Sequence, residues 1–186
     1  MRFLFMVMAL ALVAGCGGGS ATSPDVASDD RIESALGYHI ERADYQGPVT
    51  QAHAELADRW WIELMADLRT AGYSEAQTDP SKHVEFVYIY LYQPRDSDHS
   101  IVCPGRPELV GACYDQFKPA FRVPGTYIDG PMLGRRPASQ ALKHEMLHHW
   151  CLWTFDNLCM APGASEWDGH VWKAPNGTNV WDYTWH

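Results

Sequence analysis

Residues 137–154 read PASQALKHEMLHHWCLWT. A proline at the first helical position sacrifices no hydrogen bond, because the leading N–H groups of a helix have no partner within it. Ala141, Leu142, Leu147 and Trp150 then supply apolar packing along the stretch. The run predicts a buried helix from Pro137 to about Thr154. Immediately upstream, residues 120–128 (AFRVPGTYI) read as a short strand. Pro124 lacks an N–H for the ladder, which predicts an edge position for it. Gly130, Pro131 and Gly134 close that strand.

Further out, residues 83–92 (HVEFVYIYLY) alternate around Val84, Phe86, Tyr88, Tyr90 and Tyr92. Both faces are mostly apolar, which predicts an inner strand. Residues 94–111 carry Pro104, Gly105, Pro107 and Gly111 and read as a long loop. Residues 52–71 repeat Leu56, Trp60, Leu64 and Leu68 at four-residue spacing, with Ala57, Trp61 and Met65 beside them. This is a helix whose stripe faces a core, with Gly72 at its stop. Residues 157–165 form a loop, and the Trp-rich remainder to His186 has no clear periodicity. The order of elements predicts one α+β domain with a small mixed sheet.

His144 and His148 lie one helical turn apart, so their imidazoles share a face and can meet one cation. Glu145 is one step round, where a carboxylate can take a proton from a water beside that cation. Zinc is the ion that this donor set suits. His149 points about 100° away from His148 and is expected to pack or cap the helix.

The five residues His144-Glu145-Met146-Leu147-His148 fit H-E-x-x-H and resemble the active-site motif of the zincin metallopeptidases. The resemblance implies a zincin-like fold, with an edge strand beside the motif helix. It also implies zinc on His144 and His148, Glu145 as general base, and a peptide or protein substrate held along residues 121–128. The metzincin extension is absent, since residues 150–155 hold neither Gly nor His. An aspzincin Gly-Thr-x-Asp is absent too, because Val180 follows Gly177-Thr178-Asn179. The third zinc ligand therefore stays open among Glu166, Asp168 and His170. His170 is the choice here, as imidazole suits zinc and Gly169 lets the backbone turn the ring inward. Asp168 or Glu166 then serves to orient a ligand. Tyr127 and Tyr183 are candidates for an oxyanion, although the favoured reading of each is an aromatic with its hydroxyl at the surface.

The beginning of the chain reads as an address. Arg2 precedes an apolar run over residues 3–14, which is too short to span a bilayer as a helix. Val13-Ala14-Gly15-Cys16 resembles the lipobox of bacterial lipoproteins. That implies a signal peptide over residues 1–15 and lipid on Cys16. A flexible tether over 16–31 then leads to a domain over 32–186. The implied location is the bacterial cell envelope, periplasmic or surface-exposed, with the lipid as the only membrane contact. Of five Cys, lipidation of Cys16 leaves four for two disulfides. Three pairings exist; the local one, Cys103 with Cys113 and Cys151 with Cys159, is the simplest.

The formal net charge of −9 disfavours nucleic acid as a partner. The function expected is a lipid-anchored zinc metallopeptidase of the cell envelope. The alternative is an inactive envelope lipoprotein that binds protein or glycan through its aromatic C-terminal region, where Trp167, Trp172, Trp181 and Trp185 lie.

Overall fold

The structure is a computed structural model that describes residues 30–128, 138–164 and 167–184. The leader, Cys16, Pro137, Glu166, Trp185 and His186 lie outside the described residues. A mixed sheet and two helices make an α+β domain. The elements in chain order are β1 (Arg31–Glu33), β2 (His39–Arg42), α1 (Gln51–Thr70), β3 (Tyr88–Tyr92), β4 (Ile101–Val102), β5 (Leu109–Val110), β6 (Cys113–Asp115), β7 (Ala120–Pro124) and α2 (Ala138–Phe155). A turn of 3-10 helix over Val180–Thr184 follows. The first strand begins at Arg31, within the stretch expected to be tether.

The main sheet has the order β1-β2-β3-β7-β6. The pairs β2/β3 and β3/β7 are parallel, while β1/β2 and β6/β7 are antiparallel. Helix α1 is the crossover between the parallel strands β2 and β3, as such a connection requires. Ile40, Ile89, Leu91, Phe121 and Val123 are fully buried in a core shared with both helices. Tyr88, Tyr90 and Tyr92, at the alternate positions of β3, are half-buried. The sheet thus has one buried face and one partly open one, and β3 is an inner strand of a two-layer domain.

Helix α1 buries His53, Ala57, Trp61, Leu64 and Leu68, the i, i+4, i+8, i+11, i+15 row of an amphipathic helix. Its start is sewn to the end of β7. His53 Nδ1 accepts the Thr50 N–H at 3.1 Å, and its Nε2–H donates to the Gly125 carbonyl at 2.8 Å. A histidine here takes the part that Glu or Gln plays in a capping box. Gly72, at φ +102°, turns the chain at the other end, and the Tyr73 N–H returns to the Leu68 carbonyl at 3.2 Å. A Cβ at Gly72 would stand 2.9 Å from Pro175, so this position demands glycine on two grounds.

Three expectations about strands are corrected. Residues 83–87 do not extend β3. The chain turns there, with His83 and Phe86 at φ +63° and +62°, which places Val84 and Val87 in the core and leaves Phe86 68% exposed. The alternation around Val84 and Phe86 was therefore a turn with a three-residue apolar spacing. The loop over 94–111 contains a small hairpin, β4 against β5. Strand β7 is not an edge. Pro124 is its last residue, in register with Tyr92 of β3, and the flanking β6 reaches only Ala120–Arg122, so the missing N–H falls beyond the end of β6. The edge beside α2 is β6. The expected pairs Cys103–Cys113 and Cys151–Cys159 are both bonded.

Candidate metal centre

Helix α2 carries His144, Glu145 and His148 to one cavity of about 340 Å³, where all three side chains form part of the lining. The two imidazoles meet edge to face with ring centroids 5.1 Å apart. Both also contact the Trp181 ring, at 4.8 and 5.0 Å. Trp181 is 5% exposed, so it backs the histidines and offers no surface of its own.

His148 is oriented by a carbonyl. Its Nδ1 stands 2.8 Å from the Leu158 oxygen. A carbonyl can only accept, so Nδ1 carries the proton and the ring's lone pair is on Nε2. The loop that presents Leu158 is held by the Cys151–Cys159 disulfide and by the Cys159 N–H to Asn157 Oδ1 at 2.8 Å. Orientation of an imidazole by a carbonyl on its other nitrogen is the usual support for a metal-binding histidine.

Glu145 is 7% exposed. Burial pushes its carboxyl up to about 8, against the Arg106 guanidinium and the Tyr114 backbone N–H, which pull the other way. Arg106, Ala112, Cys113 and Tyr114 form the wall opposite α2, and Leu158, Met160 and Ala164 complete the lining. The edge strand β6 therefore runs along the cavity.

His149 turns into the core, as its position after His148 predicted, and is fully buried. Its Nε2 donates to the His83 carbonyl at 2.5 Å, so its Nδ1 accepts the Tyr114 hydroxyl at 2.8 Å. Burial holds the ring down at about 4, below the ordinary histidine range. One neutral imidazole thus locks the edge strand, α2 and the strained turn at His83 together.

The remaining sequence candidates lie elsewhere. His170 is exposed; its ring contacts Trp172 at 4.4 Å and does not form part of the cavity wall. Gly169 does turn the backbone, at φ +84°, and the His170 N–H donates to Asp168 Oδ1 at 2.9 Å. Among the described residues no group of three His, Cys, Asp or Glu comes together as a metal-holding set. Tyr127 is fully buried and donates to the His53 carbonyl at 2.6 Å, which corrects its candidacy for an oxyanion. The Tyr183 hydroxyl accepts from Asn176 Nδ2 at 3.0 Å, away from the cavity wall.

Sequence reasoning missed Arg106, Tyr114 and the Leu158 carbonyl. The signal for the first two was the Cys103–Cys113 pair, which ties the hairpin containing Arg106 to the strand containing Tyr114. No protein-family model matches this chain, and no curated protein or solved structure matches it.

Proposed function

We propose that the cavity on α2 is the active site of a zinc metallopeptidase of zincin type, carried on a lipoprotein of the bacterial cell envelope. The observation that carries this reading is the convergence of His144, Glu145 and His148 on one cavity with an edge strand along its wall. Two imidazoles a helical turn apart are a fitting donor pair for zinc, and the Leu158 carbonyl holds one of them in the tautomer that coordination needs. His144 and His148 would hold the zinc, which when bound would supply a Lewis acid for the scissile carbonyl and lower the pKa of a water molecule.

Glu145 does the proton work. Its carboxylate takes a proton from the attacking water and passes it to the leaving amine. The peptide C–N bond breaks, the water oxygen joins the acyl carbon, and both water protons end on the amine. The Tyr114 N–H and the low exposure of Glu145 hold the carboxylate at one place in the wall. The role of substrate strand partner, expected for residues 121–128, passes to β6, whose outer edge has no strand partner among the described residues. His170 stays the residue chosen for the third ligand, and its ring would have to leave Trp172 to reach the imidazole pair. The Val13-Ala14-Gly15-Cys16 lipobox supports lipidation at Cys16 and export.

Elemental analysis of the purified full chain tests the reading, with about one zinc per chain expected. Peptide cleavage is expected to vanish in Glu145→Gln while zinc stays bound. Absence of zinc after loading at neutral pH overturns the assignment. Retention of zinc in His170→Ala moves the third ligand off that residue.

A further inference from the structure

From Leu142 to Cys151, helix α2 is buried at every position except the half-buried His144. A helix enclosed on all sides has no amphipathic stripe to set its roll about its own axis. Polar anchors set it here. The Trp150 indole donates to the Gln77 carbonyl at 2.8 Å, and His149 is bonded to His83 and Tyr114. These bonds fix the part of α2 that follows the imidazole pair. Before the pair stands Lys143. Its side chain is 1% exposed, and its Nζ donates to Asp67 Oδ2 of α1 at 3.0 Å.

Trp60 and Asp67 are seven residues apart on α1, which puts them on one face, two turns from each other. The Lys143 ammonium meets both, the carboxylate by a hydrogen bond and the Trp60 ring at 5.3 Å from its centroid. A buried ion pair is a weak source of stability, since apolar residues of similar volume often replace one at no cost. What a directional bond adds is a fixed position. Lys143 stands about 100° from His144 around the helix, so the contact that turns Lys143 to α1 turns His144 to the cavity. Side chains reach roughly 5 to 6 Å from a helix axis, where a roll of about 20° carries an imidazole by roughly 2 Å. Metal–ligand distances tolerate only about 0.2 Å.

We propose that Lys143 is a positioning residue of the metal site: its bond to Asp67 fixes the roll of α2 that brings the His144 and His148 imidazoles to one ion. This rests on the metal-centre reading above. Lys143 itself forms no part of the cavity wall. Asp67 is 40% exposed, so removal of the ammonium leaves a hydrated carboxylate and strands no buried charge. The pair can therefore be broken in a protein that still folds.

The test compares the full-length wild type with Lys143→Met, which keeps the length of the stem and removes the charge, and with Lys143→Arg, which keeps the charge. Urea denaturation gives the folded fraction. Zinc affinity is read by chelator competition, and the absorption spectrum of the cobalt-loaded protein reports the geometry of the ligands. Lys143→Met is expected to keep a urea midpoint near the wild type, to bind zinc about tenfold more weakly and to show altered cobalt bands. Lys143→Arg is expected to restore both metal readouts. In the metal-free proteins, NMR follows the His148 Nδ1–H, expected to exchange slowly in the wild type and faster in Lys143→Met. The double variant Lys143→Met with Asp67→Leu replaces the pair by apolar packing and carries the same expectations should the single variant unfold.

Wild-type zinc affinity and an unchanged cobalt spectrum in a folded variant without the charge overturn the proposal and leave the metal centre standing. Failure of the wild type to bind zinc, with His148 Nδ1–H exchange that still depends on Lys143, removes the metal centre and keeps the role of Lys143 in setting the helix. Equal His148 exchange in wild type and variant, together with equal metal binding or none, overturns that role as well.

Discussion

His148 donates its Nδ1–H to the Leu158 carbonyl across 2.8 Å, and the Cys151–Cys159 disulfide holds the loop that brings that carbonyl back to the helix. Replacing both cysteines by serine frees the loop and loosens the imidazole. Zinc affinity is expected to fall about tenfold to a hundredfold, as loss of an orienting group usually causes. Stability is expected to fall by roughly 2 to 3 kcal/mol, the scale for a staple across a short loop. Chelator competition and urea denaturation measure the two effects, and an unchanged affinity separates the loop from the metal site.

Glu145→Gln preserves shape and removes the base. Peptide cleavage is expected to drop by about 10² to 10⁴. Zinc content, read by elemental analysis, is expected to stay at the wild-type level, because Glu145 stands beside the imidazole pair and is not one of it.

His149 makes stability depend on pH. Folded, its pKa is about 4; unfolded, it returns to the ordinary value near 6.5. Above 6.5 the ring is neutral in both states and the native contacts are at full strength. As pH falls from 6.5 towards 4, the unfolded chain takes the proton first, and up to about 3 kcal/mol of stability is lost. Urea midpoints measured between pH 7 and pH 4 give this slope. His149→Gln, which can still donate to His83 and accept from Tyr114, is expected to flatten it.

Tyr127→Phe separates structure from chemistry. The hydroxyl bridges the turn after β7 to the start of α1 by donating to the His53 carbonyl. Its loss is expected to cost about 1 to 2 kcal/mol by thermal or urea melting. Cleavage per folded molecule is expected to stay at the wild-type rate, and a large fall would restore Tyr127 to the reaction.

Trp181→Ala removes the ring behind both imidazoles. A loss of roughly 3 to 5 kcal/mol is expected for truncating so buried an aromatic. Zinc affinity should fall with it. The aromatic tail would act as a binding surface only if folded Trp181→Ala protein kept its zinc and lost a partner instead.

The helices, the two disulfides and the imidazole pair could be read along the chain because each depends on residues close together in it. Four-residue spacing puts His144 beside His148 whatever surrounds them, and short loops favour Cys103 with Cys113 and Cys151 with Cys159. Which strand stands at the edge depended on register: three residues of β6 pair with only part of β7, so Pro124 needed no edge. The turn at His83 was hidden for the same reason, since its carbonyl is held by His149, far along the chain. Arg106, Tyr114 and Leu158 reach α2 only after the sheet and the staples set their places. No periodicity encodes such meetings, because they arise from packing between segments that the sequence keeps apart.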